Sequence, residues 1–225
     1  MTFQGSRVHE GSAGSARSKP RRTILVFVRA PEPGRVKTRL AAAIGDDAAA
    51  RIYRSLAEHT MAEVRAFAAE GVEVRVHYAP ADAGDGVRAW LGDGPAYLPQ
   101  ADGDLGMRMM DAFARAFADG AERVVIVGSD LPRISAPLLR RAFHVLDAHP
   151  AVIGPARDGG YYLLGLREMA TGIFDGIAWS TPRVLRATLE RFSAAGIGPA
   201  ILEELVDVDT VDDLPPGWLD ADPEG

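Results

Sequence analysis

The densest group of side chains that can do chemistry lies between residues 29 and 40, where Arg29, Arg35, Lys37 and Arg39 follow one another closely. Two prolines stiffen this stretch, and Gly34 permits the close approach of another group. An ammonium supplies a point charge and a guanidinium a planar fork, and together they neutralise several phosphate oxygens. We therefore predict a polyphosphate-binding loop. The alternative is that Lys37 and Arg39 only solvate the start of a helix.

A second candidate is Asp130, in the sequence Gly-Ser-Asp-Leu-Pro that directly follows the apolar run 124–127. Magnesium takes one or two carboxylates and completes its shell with phosphate oxygens and water. We predict that Asp130 holds Mg²⁺ or Mn²⁺. The alternative is that its side chain caps the turn before Pro132.

The third candidate is the run Asp158, Gly159, Gly160, Tyr161 and Tyr162. Paired glycines after an aspartate let the backbone approach a ligand closely, and either tyrosine can stack on that ligand or face the core. We predict a ligand-binding segment here. A simple hairpin turn explains the Asp-Gly-Gly triplet equally well.

The fourth candidate is the segment Asp-Val-Asp-Thr, which contains Asp207 and Asp209. We expect the two carboxylates to lie on opposite faces of an extended segment, so that one of them reaches the metal as a second ligand. The sequence does not choose between them. Asp212 and Asp213 look instead like first-turn residues of a helix.

The segments that must position these residues alternate between strands and helices. Continuous apolar runs at 24–28 and 124–127 predict strands buried on both faces. Helix signals include Ser135 as an N-cap, and Thr181 as an N-cap with Pro182 at the first helical position. Further strands are expected at 72–78, 96–98, 151–153 and 161–166, and further helices at 52–67 and 105–117.

This alternation predicts an α/β fold with a mainly parallel sheet. In such sheets ligands bind in the crevice outside the carboxyl ends of the strands. The loop after the first strand and Asp130 both fall at predicted strand ends, so we expect the chemistry at that edge.

Composition limits the class of protein. With 25 basic and 31 acidic residues the net charge is −6, which argues against a nucleic-acid partner. The absence of cysteine excludes thiol catalysis and disulfides. No apolar block is long enough for a signal peptide or a membrane helix. We therefore predict a cytoplasmic protein without membrane insertion, whose oligomeric state the sequence leaves open.

The 225 residues divide into one folded body and two tails. Residues 1–22 are rich in Gly, Ser, Arg and Lys and are predicted to be a disordered tail. Residues 23–214 are predicted to form a single domain, and 215–225 a loose C-terminal tail.

Several segments, in this order, resemble one family, the radical-SAM/selenodomain-associated transferases of the GT-A-like group. The resemblance spans about 23–214 and implies the nucleotide-diphospho-sugar transferase fold, a Rossmann-like three-layer α/β/α sandwich. It also implies similarity to 2-phospho-L-lactate guanylyltransferase and, more distantly, to sugar nucleotidyltransferases. The matching segments are Pro-Glu-Pro-Gly-Arg-Val-Lys-Thr-Arg-Leu, Gln100 with Leu-Gly-Met-Arg-Met, Gly-Ser-Asp-Leu-Pro, Gly-Pro-Ala-Arg-Asp-Gly-Gly-Tyr-Tyr-Leu-Leu-Gly, Trp-Ser-Thr and Asp-Val-Asp-Thr.

The resemblance implies roles for individual residues. Lys37, Arg39 and Asp130 are expected to be catalytic, and Asp130 is expected to bind metal with Asp207 or Asp209. Arg29 departs from the lysine expected in many members, and no specific role is assigned to it. Further nucleotide contacts are expected from Ala30, Pro33, Gly34, Arg35, Gln100, Gly106, Arg108 and Ser129, and acceptor contacts from Asp158, Gly159, Gly160 and Tyr161.

Two transfer reactions fit this set of residues. In nucleotidyl transfer, a phosphate or carboxylate of a small acceptor attacks the α-phosphorus of a nucleoside triphosphate and pyrophosphate leaves. The compact Lys-Thr-Arg loop favours this reaction. In glycosyl transfer a nucleotide-sugar gives up its sugar, which the usual label of the family favours. A non-catalytic nucleotide-binding regulatory protein is a third alternative, but it has little need of two metal carboxylates.

Overall fold

Two apolar runs form the centre of the sheet because their side chains are buried on both faces. They are the strands β1, Arg22–Arg29, and β4, Arg123–Val127, which pair in parallel with Ile24 opposite Val125. The structure is a computed structural model that describes residues 21–218. Both runs were expected as strands, and both are confirmed.

Five more strands extend this centre into a seven-stranded sheet of order β3-β2-β1-β4-β6-β5-β7. They are β2, Glu73–Ala79; β3, Ala96–Pro99; β5, Ala151–Pro155; β6, Tyr161–Leu166; and β7, Ala200–Ile201. Strand β6 runs antiparallel to its neighbours β4 and β5, and the other pairings are parallel. The carboxyl ends of β1, β4 and β5 therefore share one edge with the beginning of β6.

Helices cover both faces of the sheet, which confirms the three-layer α/β/α architecture. Two short 3₁₀ helices, Ala81–Ala83 and Val211–Asp213, complete the described elements. The α-helices are α1, Thr38–Ile44; α2, Asp46–Ala68; α3, Gly84–Leu91; α4, Leu105–Ala118; α5, Ala136–Val145; and α6, Val184–Ala194. None of the helices between residues 21 and 218 is long and apolar enough to cross a membrane.

Alternation along β1 sends its side chains into two separate apolar layers. Ile24 packs in the layer beneath α2, α3 and α5, together with Phe67. Leu25 packs in the opposite layer beneath α4 and α6, together with Phe113 and Phe192. All five side chains are fully buried, so both layers hold the sheet rigidly in place behind its edge.

The two predicted N-caps have different outcomes. Ser135 caps α5, because its hydroxyl accepts a hydrogen bond from the N–H of Leu138. The prediction that Thr181 caps α6 is wrong, since this helix begins at Val184. The Thr181 hydroxyl instead donates to the carbonyl of Ala178 at 2.7 Å, which closes the preceding turn.

The ends of the folded body differ slightly from those expected. Strand β1 begins at Arg22, one residue earlier, and Trp218 packs against the cluster formed by Leu40, Leu56 and Val208. The remainder of the two predicted tails, 1–20 and 219–225, lies outside the described residues.

Two glycines with positive φ allow a matched test of the packing beside the sheet edge. Gly159 has φ +89°, and a Cβ there would collide with the backbone of Pro182, whereas Gly196, with φ +69°, has open space around it. Gly196→Ala should lower the free energy of unfolding by about 1–2 kcal/mol through backbone conformation alone. Gly159→Ala should lower it by about 1–3 kcal/mol more, because the added Cβ also overlaps with the backbone of Pro182. Urea unfolding measures both changes. Equal losses would show that the Pro182 backbone moves aside at no cost.

Candidate active site

A cleft of about 580 Å³ opens at the sheet edge where β1, β4 and β5 end. Cations from the loop after β1 line one part of it, and the turn between β5 and β6 lines another. Four carboxylates also line the cleft, those of Asp130, Asp158, Asp207 and Asp209. The four candidate segments of the sequence therefore meet in one place.

Lys37 is the most constrained residue of this cleft. Its backbone is left-handed, with φ 47° and ψ 46°, and its side chain is only 7% exposed. The ammonium donates to Asp130 Oδ2 at 2.7 Å and lies 3.5 Å from Asp209 Oδ1. Burial lowers the pKa of Lys37, but attraction to Asp130 and Asp209 outweighs burial and raises the pKa overall. This ammonium is therefore a fixed charge between two carboxylates.

The other loop cations have different surroundings. Arg39 is 73% exposed and its Nη1 lies 3.1 Å from Asp209 Oδ2, so Asp209 is shared between Lys37 and Arg39. Arg35 is equally exposed but pairs with Glu32 at 3.1 Å, and it does not line the cleft. The loop thus presents Lys37 and Arg39 to the cleft and turns Arg35 away.

Tyr53, on α2, connects the two strands that carry the loop and Asp130. Its hydroxyl accepts from the N–H of Arg29 at 2.8 Å and lies 2.9 Å from the hydroxyl of Ser129. Sequence reasoning missed this residue because it lies within the apolar spacing of a core helix. The available signal was its hydroxyl, since a tyrosine buried in such a face needs a polar partner.

The prediction that Asp207 and Asp209 lie on opposite faces is wrong. Both line the cleft, while Val208 between them is fully buried in the core. Residues two apart in an extended chain share a face, so a buried Val208 sends both carboxylates to the same side. The Val208 N–H donates to the carbonyl of Asp130 at 3.2 Å, which fixes the segment beside Asp130.

These two aspartates nevertheless differ in their partners. Asp209 bonds to Lys37 and Arg39, whereas Asp207 is half-buried near Asp158 and Asp130. Burial, followed by repulsion from Asp158 and Asp130, raises the pKa of Asp207 to about 6. Of the two aspartates, Asp209 is therefore the one that shares the Lys37 ammonium with Asp130.

The turn between β5 and β6 forms the opposite part of the cleft. Asp158 Oδ1 accepts from the N–H of Gly160 at 2.8 Å, so this aspartate both closes the turn and lines the cleft. Tyr161 lines the cleft while its hydroxyl points toward Met109 in the apolar layer beneath α4 and α6. Tyr162 also borders the cleft, and its hydroxyl donates to the carbonyl of Glu203.

Gln100 and Arg108 form an internal link rather than an open binding surface. Gln100 Nε2 donates to the carbonyls of Val28 and His77, at 3.2 and 2.9 Å. Its Oε1 accepts from Arg108, whose Nε donates to the carbonyl of Gly103. The pair ties the ends of β1 and β2 to the loop before α4.

Several residues predicted to contact a ligand do not line the cleft. Gly106 packs beneath the indole of Trp179, which leaves no space for a Cβ. The cleft also gains residues that sequence reasoning did not assign, of which Ser180 has a left-handed φ of 62°. The predicted residues outside the lining are Ala30, Pro33, Gly34, Arg35, Gln100, Gly106, Arg108, Ser129 and Gly159.

The donor atoms of the cleft fit a hard divalent cation. Asp130 and Asp209 already converge on one positive charge, the Lys37 ammonium. Within residues 21–218 no group of three or more His, Asp or Glu side chains forms a complete metal site. Two carboxylates suffice for Mg²⁺ or Mn²⁺ when phosphate oxygens and water fill the remaining positions.

The crowding of Asp207 predicts a pH-dependent stability. Ionised Asp207 destabilises the fold, because its pKa rises from 3.8 to about 6 on folding. Protonated Asp207 adds no such penalty, so the free energy of unfolding is highest below the ordinary pKa of 3.8 and falls as the pH rises through about 6. In metal-free buffer Asp207→Asn should raise the Tm near pH 7.5 and leave it almost unchanged near pH 4. The exposed Asp212→Asn is the control, and a gain independent of pH would contradict the assignment.

Comparisons with known proteins agree with this fold. The family described as "Uncharacterized protein conserved in bacteria (DUF2064)" matches residues 60–181. No curated protein matches the chain. A solved structure from Desulfovibrio desulfuricans G20, provisionally described as a nucleotide-diphospho-sugar transferase, is 40% identical, with a TM-score of 0.79. The match covers 87% of this chain and 85% of that one, and it confirms the expected fold.

Two more distant structures share the fold. The 4-diphosphocytidyl-2C-methyl-D-erythritol synthase of Anaerococcus prevotii DSM 20548 is 14% identical, with a TM-score of 0.56 over 85% of this chain and 94% of that one. The protein Rv0371c of Mycobacterium tuberculosis H37Rv, solved with manganese, is 20% identical, with a TM-score of 0.50 over 85% and 95%. The link to radical-SAM-associated transferases stays a prediction.

The family match covers more than half of the chain, and the Desulfovibrio structure matches 87% of it. The chain therefore belongs to the family of bacterial proteins DUF2064.

Proposed function

We propose that this protein is a divalent-metal-dependent transferase that acts on a nucleotide donor. The reaction proposed is nucleotidyl transfer from a nucleoside triphosphate to a small acceptor that carries a phosphate or carboxylate. The observation that carries the proposal is the meeting of Lys37 and Arg39 with Asp130 and Asp209 at the carboxyl edge of the sheet. Cations for phosphates and carboxylates for a metal are thus within bonding distance of each other.

Lys37 and Arg39 would hold the triphosphate. An ammonium and a guanidinium placed before the reaction begins neutralise charge as it develops on the leaving pyrophosphate. Asp130 and Asp209 would hold Mg²⁺ or Mn²⁺, which supplies Lewis-acid stabilisation of the phosphoryl oxygens. Tyr53 would position this site without touching the ligand, since its hydroxyl bonds to Arg29 and Ser129 at the ends of β1 and β4.

The acceptor would enter along the turn between β5 and β6. Asp158, Gly160 and Tyr161 line this part of the cleft, and Asp207 lies beside them. These groups are acidic or neutral, so they repel an acceptor anion placed directly against them. The attacking phosphate or carboxylate oxygen must therefore face the cations, where the α-phosphorus would lie.

Glycosyl transfer is the second candidate. One observation favours it, namely that the structure 40% identical to this chain is described as a nucleotide-diphospho-sugar transferase. Lys37, Arg39, Asp130 and Asp209 would serve a nucleoside diphosphate leaving group equally well. The two reactions differ in which donor the cleft binds.

A thermal-shift panel against nucleoside triphosphates and nucleotide-sugars, each with and without Mg²⁺ or Mn²⁺, tests the proposal. We expect a metal-dependent shift with one triphosphate. Asp130→Asn should weaken that binding at least about tenfold, the scale of loss for disturbed metal ligation. Asp212→Asn, an exposed carboxylate of the neighbouring segment, is the control. A shift confined to nucleotide-sugars would favour glycosyl transfer, and unchanged binding in folded Asp130→Asn would refute the metal assignment.

Lys37 and Arg35 give a second, matched comparison. Lys37→Met should weaken triphosphate binding at least about tenfold but bare nucleoside binding much less, because the lost charge faces phosphates. Arg35→Met should lose less triphosphate affinity, since Arg35 pairs with Glu32 away from the cleft. Isothermal titration with both ligands measures this. Equal losses of affinity for triphosphate and nucleoside would contradict the assignment of Lys37 to the phosphates.

A further inference from the structure

The Lys37 ammonium occupies the place where the proposed metal ligands converge. It lies 2.7 Å from Asp130 Oδ2 and 3.5 Å from Asp209 Oδ1, and its side chain is 7% exposed. The same ammonium is the cation proposed to hold donor phosphates. The ammonium is thus bonded to the carboxylates proposed to hold the metal, whereas the proposed function assigns the ammonium to the donor phosphates.

The backbone supports a specific role for this arrangement. Lys37 has a left-handed φ of 47°, a conformation that is unfavourable for a non-glycine residue and persists where surrounding contacts enforce it. This geometry directs the side chain into the cleft from the N-cap of α1. The four-carbon stem of lysine and its three freely rotating donors allow the ammonium to change partners without backbone movement.

A divalent cation placed on the oxygens that this ammonium contacts would compete with it. The ammonium already bonds to Asp130 Oδ2 and lies 3.5 Å from Asp209 Oδ1, so a metal bound to the same oxygens would stand close to a like charge. A metal that enters alone must expel a buried ammonium with no new partner, which is costly. A metal that enters with a polyphosphate brings an acceptor for the displaced ammonium.

We propose that Lys37 is the resident counter-ion of the Asp130–Asp209 pair, and that a divalent metal replaces it only when a polyphosphate receives the ammonium. The inference rests on the proposed function and specifies its ligand as the metal–nucleotide complex, with free metal excluded. Arg39 takes little part in this exclusion, because its guanidinium is 73% exposed and screened by water.

Mn²⁺ binding to the whole chain, followed by electron paramagnetic resonance without nucleotide, tests the exchange. We expect Lys37→Met to bind Mn²⁺ at least about tenfold more tightly than the original chain, because a like charge has been removed. Arg39→Met, which removes an exposed cation from the same Asp209, should change Mn²⁺ binding less than about threefold. Lys37→Arg keeps the charge and should leave Mn²⁺ binding weak.

The second half of the test adds a non-hydrolysable nucleoside triphosphate. The original chain should then bind Mn²⁺ at least about tenfold more tightly. Lys37→Met should gain less than the original chain, because the phosphate oxygens still add ligands to the metal but no ammonium remains to transfer. Equal or weaker Mn²⁺ binding by Lys37→Met without nucleotide overturns the exchange. Lys37→Gln replaces Lys37→Met if thermal unfolding shows that the latter is not folded.

The exchange and the proposed function fail in different ways. If no triphosphate binds to the original chain with metal, the proposed function is wrong, while the nucleotide-free comparison of Lys37→Met with the original chain still decides the counter-ion role. If triphosphate and metal bind but Lys37→Met shows no tighter Mn²⁺ binding alone, the function stands and the exchange is overturned.

Discussion

The rest of the cleft depends on a single desolvated charge. Lys37 keeps its charge despite burial because carboxylates stand beside it, and these carboxylates, Asp130 and Asp209, come from segments far apart in the chain. The loop after β1, the turn after β4 and the segment before the second 3₁₀ helix must therefore be held together. The Val208 N–H bonded to the Asp130 carbonyl, and Tyr53 bonded to Arg29 and Ser129, hold them.

The sequence was informative where one physical effect dominates. Apolar β-branched runs are stable only when buried on both faces, so 24–28 and 124–127 identify the sheet centre without further information. Lys37, Arg39 and Asp130 follow directly, because ligands bind at carboxyl edges of parallel strands. Their meeting in one cleft with Asp158 needs no knowledge of side-chain conformation.

Other features depend on contacts between distant residues, which spacing does not encode. The hydroxyl of Tyr53 signals that a polar partner is needed, but the helical spacing does not say that this partner is Ser129. The amide of Gln100 donates to the carbonyls of Val28 and His77, which spacing does not reveal either. Thr181 has the residue type of an N-cap, yet its hydroxyl closes a turn instead. The wrong prediction for Asp207 and Asp209 does not have this cause. Residues two apart in an extended segment share a face, so the spacing alone already places both carboxylates on the same side.

Strand β6 has a consequence for how the cleft can diversify. Because it runs against its neighbours, its first residue, Tyr161, meets the edge that the other strands reach with their last. The turn 156–160 is thus a hairpin tip, and it is bonded to the segment of Asp207 and Asp209, because the N–H of Arg157 donates to the carbonyl of Leu205. A change of length in this turn would therefore be transmitted to Asp209, whereas Lys37 and Asp130 follow the parallel strands β1 and β4. The shape of the cleft near Asp158 can vary only within the limits set by the position of this carboxylate.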